Sequence, residues 1–114
     1  MDAFLAIPFD DLEKAFQQAD AAAIVSQSRD KVLISIEDKE GVYGASQARQ
    51  VLKDFFVSNP ATSFSFSFKG KEAGANSFAL GSYDSNGKKF RVSIKFTLEK
   101  EVYKIESITI DLEK

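Results

Sequence analysis

Six side chains could line a ligand pocket in this sequence: Tyr43, Phe56, Tyr83, Arg91, Tyr103 and Glu106. Glu106 is the acidic residue whose direction the strand pattern leaves open, because it falls where its strand's alternation slips. A carboxyl group held in an apolar pocket has its pKa tuned by desolvation and can serve as a general acid or base. Glu106 has no evident partner group, however, and a solvated carboxylate at a bulge is the plainer reading. Each tyrosine can bury its ring and leave its hydroxyl at a rim. Arg91 stands in the polar phase of a central strand. A cross-strand ion pair or stacking on Tyr83 would satisfy it as well as capture of a ligand carboxylate would.

The rest of the inventory narrows the chemistry. The chain has no cysteine and no histidine, so disulfides, thiolate catalysis and the commonest general base are all missing. Asp38, Glu40 and the Asp84-Ser85-Asn86 turn lack the full oxygen set of a calcium loop, and no metal or other cofactor is implied. Gly70, Gly74 and Gly81 are spaced as loop and strand glycines, with no phosphate-binding pattern. The apolar phases Phe64-Phe66-Phe68 and Phe90 to Leu98 carry no ionisable intruder, and Asp111 is in the polar phase of its strand. The 15 basic and 17 acidic residues are interleaved, with a net charge of −2. That pattern argues against nucleic acid as a partner. Lys69 with Lys71, and Lys88-Lys89-Arg91, read as solvated loop ends.

The elements that must position these residues are organised around Gly44 to Pro60. There Ala48, Val51, Leu52, Phe55 and Phe56 recur at helical spacing. Gly44 or Ser46 can cap the start, and Asn59-Pro60 ends the helix. Upstream, Leu12, Ala15, Phe16 and Ala19 predict a helix from Pro8 to Ala19, with Asp10, Asp11 and Glu13 near its positive end. Asp20 can cap a second short helix over Ala21 to Ser26. Val32, Ile34 and Ile36 predict a strand, Asp38 to Gly41 a turn, and Val42-Tyr43 a short return.

After Pro60 the period becomes two. Phe64, Phe66 and Phe68 are expected to share one face, opposite Ser63, Ser65 and Ser67. Gly70 to Asn76 reads as a loop. Phe78 and Leu80 then oppose Ala79, Gly81 and Tyr83. Asn86-Gly87 marks a hairpin, since this dipeptide adopts positive φ readily. Phe90, Val92, Ile94, Phe96 and Leu98 alternate cleanly. A turn near Glu99 to Glu101 leads to a last strand in which Tyr103 and Ile105 are out of phase with Ile108, Ile110 and Leu112. That slip predicts a bulge at Glu106-Ser107.

The 114 residues thus predict one α+β domain over 1–114: N-terminal helices, a strand or short hairpin, a central helix, then a four-stranded curved antiparallel sheet. This order resembles the nuclear transport factor 2-like, or cystatin-like, cone. Tyr43, Gln47-Ala48, Phe55-Phe56, Asn59-Pro60 with Phe64, Lys69-Gly70, Gly81 and Phe90-Arg91-Val92 resemble a bacterial family known only as a domain of unknown function, family 4783. The Gln-x-Val-x-Gly string of cystatin-type protease inhibitors is absent.

The resemblance implies export with a signal peptide removed, although none is visible at Met1-Asp2 and the cytoplasm stays open. No apolar run reaches the length of a membrane span. The Phe-rich core and lack of polar intruders read as a non-catalytic binding or interaction module. Ser63, Ser65, Ser67, Ala79, Gly81, Ser93 and Thr97 are expected on an outer sheet face suited to a homodimer. The alternative is a cone pocket for a small apolar molecule, with isomerase- or dehydratase-like activity as its catalytic form.

Overall fold

The computed structural model describes residues 6–113; Phe4 and Leu5, apolar positions ahead of the first helix, lie outside them. Helix α1 (Phe9–Gln17) buries Leu12, Ala15 and Phe16, places Asp10 and Asp11 in its first turn, and is preceded by Pro8. It stops at Ala19, whose left-handed φ of 54° breaks the ladder. Asp20 then caps α2 (Ala21–Ser26), accepting from the Ala23 amide at 3.0 Å. Helix α3 (Ala45–Ser58) starts at Gly44 and buries Ala48, Leu52, Phe55 and Phe56. All three helices match the expected spacing.

The strands are β1 (Ser28–Ile36), β2 (Lys39–Tyr43), β3 (Ser63–Lys69), β4 (Asn76–Ser85), β5 (Lys88–Glu99) and β6 (Val102–Leu112). They form one six-stranded sheet in the order β2-β1-β6-β5-β4-β3, rather than a four-stranded sheet with a separate hairpin. The junction is a parallel pairing of β1 with β6, which sets Ile34 beside Ile108 and Ile36 beside Ile110. Continued through β5 and β4, the first of these rows reads Ile34, Ile108, Ile94, Ala79. Burying that row against the helices joins the hairpin to the larger sheet, a long-range gain that no local pattern reports.

Two bulges set the curvature and the faces. In β6, Lys95 pairs with Ser107 but Phe96 pairs with Ile105, so Glu106 is the extra residue, where the phase slip placed it. The second bulge, in β3, was not anticipated. Phe66 pairs with Gly81 but Phe68 pairs with Leu80, and Ser67 is the surplus residue. The slip turns Phe68 away from Phe64 and Phe66 onto the outer face, where its ring stacks on Phe78 at 5.1 Å. Phe68 and Phe78 are 46% and 49% exposed.

The outer face therefore differs from expectation at Ala79 and Gly81 as well. Both are in the phase of Tyr83, which is fully buried, and Ala79 is also fully buried. Their small size makes room for aromatic rings from above. A Cβ on Gly81 would meet the Phe64 ring at 2.5 Å. Ser63, Ser65, Ser93 and Thr97 occupy the outer phase as predicted, joined by Leu80 and the Phe68–Phe78 pair.

Between helices and sheet, phenylalanine fills the space. Phe16 stacks on Phe64 with centroids 4.7 Å apart, Phe55 meets Phe90 at 5.1 Å, and Phe9 meets Phe66 at 5.5 Å. Stacked and edge-on contacts of this kind add attraction beyond the area they bury.

Candidate functional site

Helix α3 reverses the chain over β2, and a cleft of about 400 Å³ opens between that helix and the β1–β2 hairpin. Its floor is apolar: Ile34 and Ile36 from β1, Val51 and Phe55 from α3. Its rim is polar: Lys39 and Tyr43 from β2, and Asp54, Ser58 and Asn59 from the far half of α3 and its end. Ile34 and Phe55 are buried, Ile36, Tyr43, Val51 and Asn59 half-buried, and Lys39, Asp54 and Ser58 exposed. Residues 51, 54, 55 and 58 share one helical stripe, which is how two apolar and two polar groups come to face the same space. Lys39, Gly41 and Tyr43 share a phase of β2.

Local contacts set the rim groups. The Gln50 side chain donates to Asp54 Oδ1 at 2.8 Å, one turn apart on α3. The Asn59 side-chain amide donates to the Phe55 carbonyl at 3.3 Å, closing the helix end. Tyr43 folds back along its strand over Gly41, so closely that a Cβ there would meet its hydroxyl at 2.5 Å. The missing side chain at Gly41 is what lets the ring form part of the cleft wall.

The six residues singled out in the sequence are not brought together. Only Tyr43 lines the cleft. Phe56 lies in the core against Phe16, Phe55 and Tyr83. Tyr83 is fully buried, and its hydroxyl donates to the Asn59 carbonyl at 2.6 Å. Burial pushes that phenol up from 10.0 to about 12. Tyr103 donates to the Gly74 carbonyl at 2.8 Å and ties down the 70–75 loop. Arg91 is exposed on the outer face with Glu113 3.7 Å away. Glu106 is half-exposed at the bulge. Among the described residues no three acidic side chains gather as a metal site requires, and no helix is long and apolar enough to cross a membrane.

Sequence reasoning missed Ile34, Ile36, Lys39, Val51, Asp54, Ser58 and Asn59 as a group. The available signal was the α3 stripe itself, where Asp54 and Ser58 follow Val51 and Phe55 on the border of the apolar face. A helix whose apolar stripe turns polar toward its end leaves one side uncovered.

A curved six-stranded sheet wrapped on three helices defines a nuclear transport factor 2-like, cystatin-like protein. A nuclear transport factor 2-like protein of unknown function from Shewanella baltica superposes with a TM-score of 0.69 at 13% identity, over 92% of this chain and 87% of that one. Residues 9–111 match the family model of the domain of unknown function DUF4783, and the chain belongs to that family. A DUF4783 family protein from Bacteroides uniformis superposes with a TM-score of 0.87 at 24% identity, covering 96% of this chain and 99% of that one. Another, from Bacteroides fragilis, gives 0.85 at 25% identity, covering 95% and 100%. No protein with a curated description matches the chain.

Proposed function

We propose that this protein is a non-catalytic binding module whose ligand site is the cleft between α3 and the β1–β2 hairpin. One observation carries the reading: a cleft of about 400 Å³ joins an apolar floor to a polar rim. Ligand sites have this size and build, with a few polar groups orienting what the apolar surface holds. An isomerase-like reading is weaker, because the carboxylate on the rim, Asp54, is exposed and hydrogen-bonded to Gln50. A working acid in such a fold needs a desolvated carboxyl group. Fragment screening by protein-observed NMR tests the reading. Apolar fragments should shift the Val51, Phe55 and Tyr43 signals, and Val51→Arg should abolish the effect. Shifts confined to other surfaces reject it.

A second reading rests on the outer sheet face, where the exposed Phe68–Phe78 stack adjoins Leu80. Apolar rings on an otherwise small and polar sheet favour self-association of two copies. Sedimentation equilibrium at micromolar concentration should show a dimer that Phe68→Ser with Phe78→Ser disperses; a monomeric wild type rejects it. Kinship with the family further leads us to place the full-length protein outside the cytoplasm. Recovery in the cytosolic fraction of its host would reject that placement.

A further inference from the structure

The two edges of the sheet are treated differently, and the difference points to a partner. At the β3 edge, Glu13 of α1 accepts from the Phe66 amide at 2.9 Å, and Gln17 donates to the Phe64 carbonyl at 3.0 Å. Among the described residues nothing comparable occurs at the β2 edge. The hairpin turns through Glu37-Asp38, so the pairs Ile36–Lys39, Ile34–Gly41 and Val32–Tyr43 share the ladder hydrogen bonds. Glu40 and Val42 therefore aim their amides and carbonyls off the sheet, and among the described residues these meet no hydrogen-bond partner. Val42 is 64% exposed.

We propose that the free edge of β2, with the cleft beside it, takes up an extended peptide segment as a seventh strand. The inference rests on the cleft being a binding site and names its occupant. Donors and acceptors spaced along an extended backbone are matched in register by another extended backbone; a small apolar molecule would leave them unpaired. A strand added about 4.8 Å outside β2 places its inward-facing side chain at the cleft mouth, beside Tyr43. The rim sorts the charges. Lys39 stands on the strand side and Asp54 on the helix side. The fitting segment is about five residues long, matching β2. It carries an apolar side chain facing the floor and an acidic one toward Lys39.

The test is selection of displayed random heptapeptides on the whole protein, followed by calorimetry with a synthetic winner. Selected sequences should alternate apolar and polar residues and carry an acidic position that Lys39→Glu turns basic. Methylating alternate backbone nitrogens of the winner should weaken binding about tenfold or more, because it removes main-chain hydrogen bonds. Val42→Pro should do the same, since an edge strand accepts proline where its amide points outward. The methylated peptide keeps the test decisive if that variant folds poorly. Failure to enrich peptides, or equal binding of the methylated peptide, overturns the proposal. So does a wild-type dimer that Val42→Pro disperses, which would make a second copy the occupant. Anilinonaphthalene sulfonate separates the two readings. If its fluorescence rises on the wild type but not on Val51→Arg while peptides fail, the cleft stands and the peptide falls; if neither binds, both fall.

Discussion

Strands β3 and β2 close the same sheet at opposite ends, and each lays an aromatic ring over a glycine. On the β3 side the ring is Phe64 over Gly81; on the β2 side it is Tyr43 over Gly41. The likeness ends there. Phe64 is held between the sheet and Phe16 of α1, and the same helix satisfies the β3 backbone through Glu13 and Gln17. Tyr43 is half-buried at a cleft, beside backbone groups that pair with nothing among the described residues. An unpaired edge invites another strand, and folded proteins commonly cover or shorten such edges. Here one edge is covered by a helix and the other is only short. The lesson is that α1 guards as well as packs.

The largest effect should come from removing the ring that seats the guard. Phe16→Ala is expected to destabilise the fold by about 3–5 kcal/mol, as large-to-small changes at buried phenylalanines do. Urea unfolding measures it, and hydrogen exchange should quicken at the Phe66 amide more than at β2. Next comes a matched pair. A Cβ at Gly81 and one at Gly41 both meet a ring atom or hydroxyl at 2.5 Å. Phe64 has nowhere to go, so Gly81→Ala should cost about 1–3 kcal/mol, the usual penalty of overpacking. The Tyr43 side chain can swing outward, so Gly41→Ala should cost well under about 1 kcal/mol while reshaping the cleft. Equal losses in the two melts would erase the contrast.

Replacing Glu13 and Gln17 together by alanine removes two hydrogen bonds to the β3 edge. The expected loss is about 1–3 kcal/mol in total. The more telling readout is self-association beyond that of the wild type, tested in the Phe68→Ser, Phe78→Ser background as a rise in sedimentation coefficient with concentration that the background alone lacks. No added association in that background would show that the guard is dispensable.

The smallest effect concerns the tyrosine behind α3. Because Tyr83 in the folded protein titrates at about 12 rather than 10.0, its neutral form is the one the fold favours. That contribution is complete below pH 10, and it is lost as pH rises from 10 toward 12. Denaturant midpoints should fall across that window. In Tyr83→Phe the fall attributable to this group should vanish, leaving a constant deficit of about 1 kcal/mol for the lost hydrogen bond to Asn59. A variant that declines as steeply as the wild type would assign the effect elsewhere.

Much of the fold was legible because it is written in short periods. The α3 stripe, the Asp20 cap, the Asn86-Gly87 turn and the Glu106 bulge each depend on residues within a few positions of one another. Asn86 and Gly87 do adopt positive φ, 47° and 91°. The phase slip at Glu106 was visible because Tyr103 and Ile105 on one side and Ile108 and Ile110 on the other are all apolar. No such mark exists at Ser67. The repeat Ser-Phe-Ser-Phe-Ser-Phe continues unbroken through the bulge, so alternation alone kept Phe68 on the wrong face. Ala79 and Gly81 misled for a related reason: small residues suit a thin outer surface and a crowded inner one equally well.

What local pattern settled, then, is where helices and strands lie and which turns join them, since backbone conformation answers to neighbours a few residues away. Which side of β4 faces the rings, which strand takes the β1–β2 hairpin, and which edge α1 covers were decided by the assembled molecule. Those choices depend on burying Ile34 with Ile108, Gly81 under Phe64 and Phe16 against Phe64, contacts between residues far apart in the chain. The cleft is the remainder of that packing: a space left where α3 turns polar before the sheet ends.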